Sequence, residues 1–329
     1  MTIATGNLDM DRNVKVTLIG AGLMGHALAL VHAIGGHQVR IQDASSSQLD
    51  KSVELINSAL GTMVDSGVVQ STKSHEIQAR IMPVIALADA VDGAGLIIEA
   101  VVENADVKRQ VYAEIDAAAP ADVILASNTS HLNVFPLIPE ARQKRSLISH
   151  WYTPPYVIDL VDLAPGPDTD PEVMRQMKAL YDGMGKKPVL FDKFIPGYVA
   201  NRLQAAMGLE ITKLLDEGWV SAKSIDDSIK YGLALRMALM GVLMKADFTG
   251  LDMMRRGMAN RTYVPPVPTP ESPTLNKLLV EGKQGVMSGA GYFEYGGRSP
   301  EELFRNRDIG LLRLKAEVAR IEDELPLGG

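Results

Sequence analysis

The 329-residue sequence contains no cysteine. Disulfides, thiolate metal sites and a cysteine nucleophile are thereby excluded, and the composition fits a reducing compartment. No stretch approaches the roughly 18 consecutive apolar residues of a membrane span. The opening MTIATGNLDMDRN has no basic region followed by an apolar one, so it does not read as a secretory signal. A short tail over 1–13 and a cytoplasmic location are the expectations. Positive charge is also short. The 33 Lys and Arg against 40 Asp and Glu leave a net charge of −7, which argues against a nucleic-acid partner, because phosphate binding needs a basic face. No two of the six histidines stand at HxxxH or HExxH spacing, and no metal is expected. Internal repeats and low-complexity segments are missing as well.

What remains is an ordinary globular composition, 46% hydrophobic and 22% charged, with length for about two domains. VKVTLIG (14–20), HQVRIQD (37–43), IMPVI (81–85), GLIIEAV (95–101), VILASN (123–128), LISHWYT (147–153), IDLVDLA (158–164) and KPVLFD (187–192) read as strands. Helices are expected around 22–35, 46–66, 71–80 and 104–119, so the early strands should form a parallel sheet with right-handed crossovers. Strands 147–153 and 158–164 lie too close for a helical crossover and should pair antiparallel or sit at an edge. Beyond FDKFIPGYVANR (191–202) the pattern turns helical, over 198–217, 221–231 behind a Ser221 cap, 241–258 and 274–281. TYVPPVPTPESP (262–273) reads as an extended connector, and Ser299-Pro300-Glu301-Glu302 as a helix start.

Strand 14–20 runs directly into GAGLMG, a G-x-G-x-x-G turn with Gly20, Gly22 and Gly25 around Leu23 and Met24. Gly20 permits a tight turn, Gly22 lets a pyrophosphate approach the backbone, and Gly25 allows close packing of helix on strand. The helix N-terminus adds free N–H groups for the phosphates. Such a hexapeptide alone could be a structural turn. Its position between strand and helix, with Asp43 ending the second strand, strengthens it. A carboxylate there accepts ribose hydroxyls and repels a 2′-phosphate, so NAD is expected rather than NADP. The fold class is accordingly α/β: a Rossmann-type doubly wound sheet over 14–194, followed by an all-α domain over 195–329.

SHWYTPPYVIDLVDL (149–163) sets His150 twelve residues before Asp162. A lone histidine on an apolar strand is ordinarily a satisfied core residue. A histidine is equally the natural base for alcohol oxidation, with a carboxylate on its other ring nitrogen to fix the tautomer. The neighbouring motifs bear on the choice. GAGLMG, EAVVEN (99–104) with Lys108, SNTS (127–130), the His150 segment, PGYVANR (196–202) and EGKQGVMSGAGYFEY (281–295) together resemble the 3-hydroxyacyl-CoA dehydrogenase family over about residues 14 to 296.

That resemblance implies roles. His150 would be the general base and Asp162 its orienting carboxylate. Ser130 would hydrogen-bond the substrate oxygen and Asn201 would help polarise it. Glu103, Lys108, Asn128 and Ser130 would line the nicotinamide and ribose end of the cofactor site, with Ala100 and Thr153 beside them. His26 and His131 lie near these motifs and are expected to be non-catalytic.

The chain departs from the family pattern at several positions. Asp162 stands where the family has glutamate, Thr153 where it has asparagine, and Trp151 and Tyr152 replace smaller or purely apolar aromatics. The shorter Asp162 then needs a closer backbone, a bridging water or another acid such as Asp159. Arg236, in YGLALRMALMG (231–241), stands where the CoA enzymes carry a proline-containing apolar turn. HWYTPPY and NRLQ look more like the branch holding L-gulonate 3-dehydrogenase, lambda-crystallin and carnitine dehydrogenase, which act on free hydroxy acids. An arginine buried in an apolar run needs an anion. That anion could be a substrate carboxylate, or Asp247 or Asp252.

The expected activity is therefore NAD-dependent oxidation of a secondary alcohol, the 3-hydroxyl of a small free carboxylic acid. Three alternatives stay open: a true 3-hydroxyacyl-CoA dehydrogenase of fatty-acid metabolism, a dehydrogenase of a hydroxymethyl or aldehyde acid on a ring, and a non-catalytic, crystallin-like NAD-binding protein. The expected partners are a small hydroxy acid or acyl-CoA substrate and a second copy of the chain through the apolar helical domain.

Overall fold

The computed structural model describes residues 14–260 and 263–327; the expected tail over 1–13 and Thr262 of the connector lie outside them. Two compact units divide the chain, the first ending at Tyr198 and the second beginning at Val199. No helix among the described residues is long and apolar enough to cross a membrane.

All eight strands expected from the β-branched runs form one sheet. They are β1 (Lys15–Ile19), β2 (Gln38–Gln42), β3 (Ile81–Val84), β4 (Leu96–Glu99), β5 (Ile124–Ser127), β6 (Ser146–Trp151), β7 (Leu160–Pro165) and β8 (Lys187–Leu190). The spatial order is β3-β2-β1-β4-β5-β6-β7-β8. Every neighbouring pair is parallel except β6 with β7, which the short connection forces antiparallel.

Alternation along the central strands divides the core between the two faces. Leu96 and Ile98 enter one apolar cluster while Ile97 enters the other; Ile124 and Ala126 separate from Leu125 in the same way. With both faces covered, β4 and β5 are buried at every position, so they read as continuous apolar runs rather than as alternating ones. Helices α1 (Gly25–Ile34), α2 (Ser46–Asp65) and α3 (Ser74–Ala79) follow the first strands, and the short α4 (Leu87–Val91) precedes β4. Next come α5 (Ala105–Ala118), the single turn α6 (Glu140–Gln143) and α7 (Pro171–Gly183). Leu28, Leu60 and Met177 cover the first face, Tyr112 and Ile115 the second.

Helix α7 was not among the expected helices, although its start is marked in the sequence. Asp170 caps the Glu172 N–H, Pro171 holds the first turn, and Glu172 faces the positive helix end.

The second unit contains α8 (Ala200–Asp216), α9 (Ala222–Asp227), α10 (Leu235–Met240), α11 (Leu243–Thr249), α12 (Leu251–Ala259), α13 (Pro273–Val280) and α14 (Pro300–Glu324). Ser221 and Ser299 cap their helices as expected. The helix expected over 221–231 instead changes to a π-helical stretch at Ser228–Ala234 that continues into α10. The single helix expected over 241–258 is also broken. Gly241 (φ +65°) and Gly250 (φ +98°) adopt left-handed backbone that ends one helix and begins another.

A Cβ on Gly25 would lie 1.8 Å from the Gly20 carbonyl oxygen, whereas one on Gly22 meets nothing within 4 Å. Gly25→Ala should therefore lower stability by about 2 kcal/mol or more through backbone displacement. Gly22→Ala should stay within about 0.5 kcal/mol of the parent. Thermal melts followed by circular dichroism check both; equal melting temperatures for the two variants would contradict the packing argument.

Candidate active site

The strand order reverses between β1 and β4, and a cleft of about 510 Å³ opens where their C-terminal ends diverge. Gly20, Gly22, Leu23, Met24, Asp43, Ala100, Glu103, Asn128 and Ser130 line it, joined by Gln48, Val101 and Val102. Gly20 takes φ +99°, and a Cβ there would lie 2.8 Å from the Ala100 carbonyl. Asp43 ties the turn to the second strand: its carboxylate accepts the Ala21 N–H at 3.0 Å and the Ser45 N–H at 3.0 Å. A carboxylate has about four acceptor sites, so capacity for ribose hydroxyls remains. Gln48, which the motif reading missed, donates to the Ala21 carbonyl at 2.9 Å. A side-chain-free approach at Gly22, an α1 N-terminus and an acid at the end of β2 fit a dinucleotide. None of the lining residues is basic, which matches NAD without a 2′-phosphate.

Three residues expected at the cofactor do not form the cleft wall. Gly25 is buried against the Gly20 carbonyl, in the packing role its place in the turn implies. The exposed Thr153 directs its hydroxyl to the Met24 sulfur at 3.1 Å. Lys108 is only 1% exposed and lies behind the wall. Its amine contacts Glu99 Oε1 at 2.6 Å and Glu103 Oε2 at 3.3 Å. The family resemblance implies that this lysine lines the nicotinamide and ribose end of the cofactor site. The strand-end Glu99, missed in the sequence, claims it instead.

Glu99 is fully buried, and a buried carboxylate needs donors. Besides Lys108 it receives Tyr112 Oη–H and Ser127 Oγ–H at 2.6 Å each, and the Val101 N–H at 2.9 Å. An acid ending the apolar strand LIIE was the available signal for this network. Burial and then Glu99 push the Tyr112 phenol well above its ordinary range.

Glu103 organises the loop after β5. Its Oε1 accepts the Thr129 hydroxyl at 2.7 Å and the N–H groups of Ser130, His131 and Leu132 at 2.9, 3.0 and 3.3 Å. Partial burial would raise its pKa, but the His131 N–H, the Thr129 hydroxyl and the Lys108 charge outweigh that and hold it at about 2. His131 thus contributes its backbone. His26, buried and bonded through Nδ1 to the Gly22 carbonyl at 2.9 Å, has its pKa lowered by desolvation.

The β6–β7 ladder sets His150 directly opposite Asp162. Opposed residues on antiparallel strands share a face, with Cβ atoms roughly 5 Å apart. Register therefore supplies the close backbone that the short aspartate needs: His150 Nδ1 lies 3.4 Å from Asp162 Oδ2. Asp159 is not the partner, being ion-paired to Lys186 at 2.9 Å. On the other side of the ring, Nε2 lies 3.2 Å from Ser130 Oγ. Asn128 accepts the Trp151 N–H at 2.9 Å and so joins the cleft wall to the end of β6.

Two tyrosines that the motif reading gave no role complete the surroundings. Tyr198 stacks on His150 with centroids 4.4 Å apart, and its hydroxyl donates to the Thr129 carbonyl at 2.6 Å. It takes φ +48°, an uncommon conformation for a bulky residue, immediately after Gly197. Burial, followed by the Asp162 charge, raises its phenol pKa. Tyr152 meets His150 edge-on at 4.7 Å and donates to Asp162 Oδ2 at 2.6 Å.

Asn201 and Arg236 belong to the second unit, Asn201 in the first turn of α8 and Arg236 on α10. Arg236 corrects an expectation. It is exposed, with Nε donating to the Gly232 carbonyl at 2.8 Å, so the cost of burying a cation does not apply to it. Asp252, offered as its partner, pairs with Arg256 instead.

This arrangement can hold a dinucleotide and, at the Ser130 end of the cleft, place a base with a carboxylate behind it. Residues 15–194 match the NAD binding domain of 3-hydroxyacyl-CoA dehydrogenase, and residues 197–295 match its C-terminal domain. The chain is 35% identical to lambda-crystallin of Oryctolagus cuniculus over 230 residues, covering 69% of this chain and 72% of the relative. It is 32% identical over 289 residues to the mitochondrial hydroxyacyl-coenzyme A dehydrogenase of Homo sapiens, covering 85% and 90%. A solved structure of 5-formyl-3-hydroxy-2-methylpyridine 4-carboxylic acid 5-dehydrogenase, an NAD+-dependent dismutase, superposes with a TM-score of 0.83 at 26% identity, covering 94% of this chain and 99% of that one. The chain is an NAD-dependent dehydrogenase belonging to the 3-hydroxyacyl-CoA dehydrogenase superfamily.

Proposed function

We propose that the enzyme oxidises the 3-hydroxyl of a small free carboxylic acid to the ketone, with His150 as general base. The observation that carries this reading is the position of Ser130, which lines the cofactor cleft and lies 3.2 Å from His150 Nε2. An alcohol held by the Ser130 hydroxyl gives its proton to Nε2, while Asp162 behind Nδ1 stabilises the resulting imidazolium. Tyr198 covers one ring face and keeps water from it. Bound NAD would supply the hydride acceptor. The family resemblance gives Asn201 the role of polarising the substrate oxygen.

A free acid is favoured over a thioester because CoA phosphates call for free cations, and the segment 44–80 offers few. Of Lys51, Lys73 and Arg80, Arg80 is committed to Glu76 and to the Ala33 carbonyl. A second reading, a ring acid bearing an aldehyde or hydroxymethyl group, draws support from the structural likeness to the pyridine-carboxylate dehydrogenase over nearly the whole chain. The panel that separates these is 3-hydroxybutyryl-CoA, free 3-hydroxybutyrate, L-gulonate, L-carnitine and a hydroxymethyl aromatic acid, each read by NADH formation. Turnover of a free hydroxy acid is expected. Turnover of the thioester alone would make the chain a hydroxyacyl-CoA dehydrogenase. NADH binding without turnover of any substrate would leave a crystallin-like role.

His150→Ala should lower kcat by about 10²-fold or more while NADH affinity persists. A variant as fast as the parent would remove His150 from the mechanism.

The same proposal includes a cytoplasmic location, which cell fractionation checks, and a homodimer through the helical unit. Supporting the dimer is the sparse interior of that unit: among its described hydrophobic side chains only Ile225 and Leu312 are buried, while Leu203, Met207, Leu251 and Met254 are exposed. Light scattering should give twice the chain mass; a monomer at micromolar concentration would refute it.

A further inference from the structure

The side chain behind the base is short and nearly enclosed. Asp162 is 1% exposed and reaches His150 Nδ1 only at 3.4 Å, long for a hydrogen bond between these atoms. The same oxygen, Oδ2, accepts a much shorter bond from the Tyr152 hydroxyl at 2.6 Å. Tyr152 also meets the imidazole edge-on, so one side chain touches both members of the pair. The carboxylate torsion of aspartate is broad, and a single long contact to an imidazole does little to hold it. A short bond from a phenol fixes it.

We propose that Tyr152 is a positioning residue for His150. Its hydroxyl holds Asp162 Oδ2 facing Nδ1, which keeps the ring proton on Nδ1 and leaves Nε2 free toward Ser130. His150, Asp162 and Tyr152 then act as one unit in which tyrosine and imidazole share a single carboxylate oxygen. The proposal rests on His150 being the base, and the test keeps the two ideas apart.

The first readout needs no substrate. The ring-nitrogen NMR signals of His150, assigned by their loss in His150→Gln, should place the ring proton on Nδ1. In Tyr152→Phe the ring should become a mixture of both tautomers. An unaltered tautomer in Tyr152→Phe overturns the proposal, whatever the rate does.

The second readout is a double-mutant cycle on free 3-hydroxybutyrate, or on 3-hydroxybutyryl-CoA if only the thioester turns over. Tyr152→Phe should lower kcat roughly ten- to a hundredfold, the scale of one hydrogen bond to a charged group. NADH affinity should stay within about twofold of the parent, which also shows that the variant is folded. Asp162→Glu should be impaired too, since its added methylene drives the carboxylate into the Tyr152 hydroxyl. Combining the two should restore kcat to within about threefold of the parent, because a longer arm reaches Nδ1 unaided and phenylalanine leaves it room. Losses that simply add would show that no oxygen is shared. If the base assignment itself is wrong, His150→Ala stays active, an outcome independent of the tautomer measured here.

Discussion

A carboxylate at the end of an apolar strand is costly until donors surround it, and Lys108, Tyr112, Ser127 and the Val101 N–H surround Glu99. Ser127 reaches it from β5 and Tyr112 and Lys108 from α5, tying neighbouring strands to the helix that crosses between them. Removing one partner of such a buried pair costs about 3–5 kcal/mol, because the remaining charge is stranded. Lys108 carries the connection outward to Glu103, and Glu103 gathers the backbone of residues 130–132. Ser130 is thus held by a continuous chain of charge-assisted contacts that begins in the core. The cofactor cleft and the His150 imidazole meet at that serine.

A second constraint is register. The β6–β7 pairing brings together two residues twelve apart in sequence and sets them on one face. A slip of one residue would turn Asp162 to the opposite face and set Val161 or Leu163 across from His150. This ladder brings the short Asp162 side chain up to the His150 ring, with Tyr152 as a further donor to the same carboxylate.

The glycine turn was legible because each of its three glycines answers a local steric demand: Gly20 at positive φ, Gly22 open to the cleft, Gly25 against the Gly20 carbonyl. The eight strands were legible because β-branched runs and punctuation are local signals. The breaks at Gly241 and Gly250 were harder to read, since an isolated glycine inside a periodic stretch is compatible with either a continuous helix or an end. Arg236 misled for a related reason: an apolar neighbourhood in sequence suggested burial, but burial depends on which face of the helix is covered.

The sequence by itself determined the parallel α/β sheet followed by helices, the dinucleotide turn with its acid, and the residue types from which a base and its carboxylate could be drawn. These follow from spacing, periodicity and backbone sterics, all of which act over a few residues. Only the tertiary structure decided that His150 faces Asp162 and not Asp159, that Lys108 turns inward to Glu99, and that Tyr198 and Tyr152 enclose the imidazole. Each of those depends on which side chains meet across strands and loops far apart in the chain, where burial makes an unpaired charge expensive and so selects one partner from several candidates.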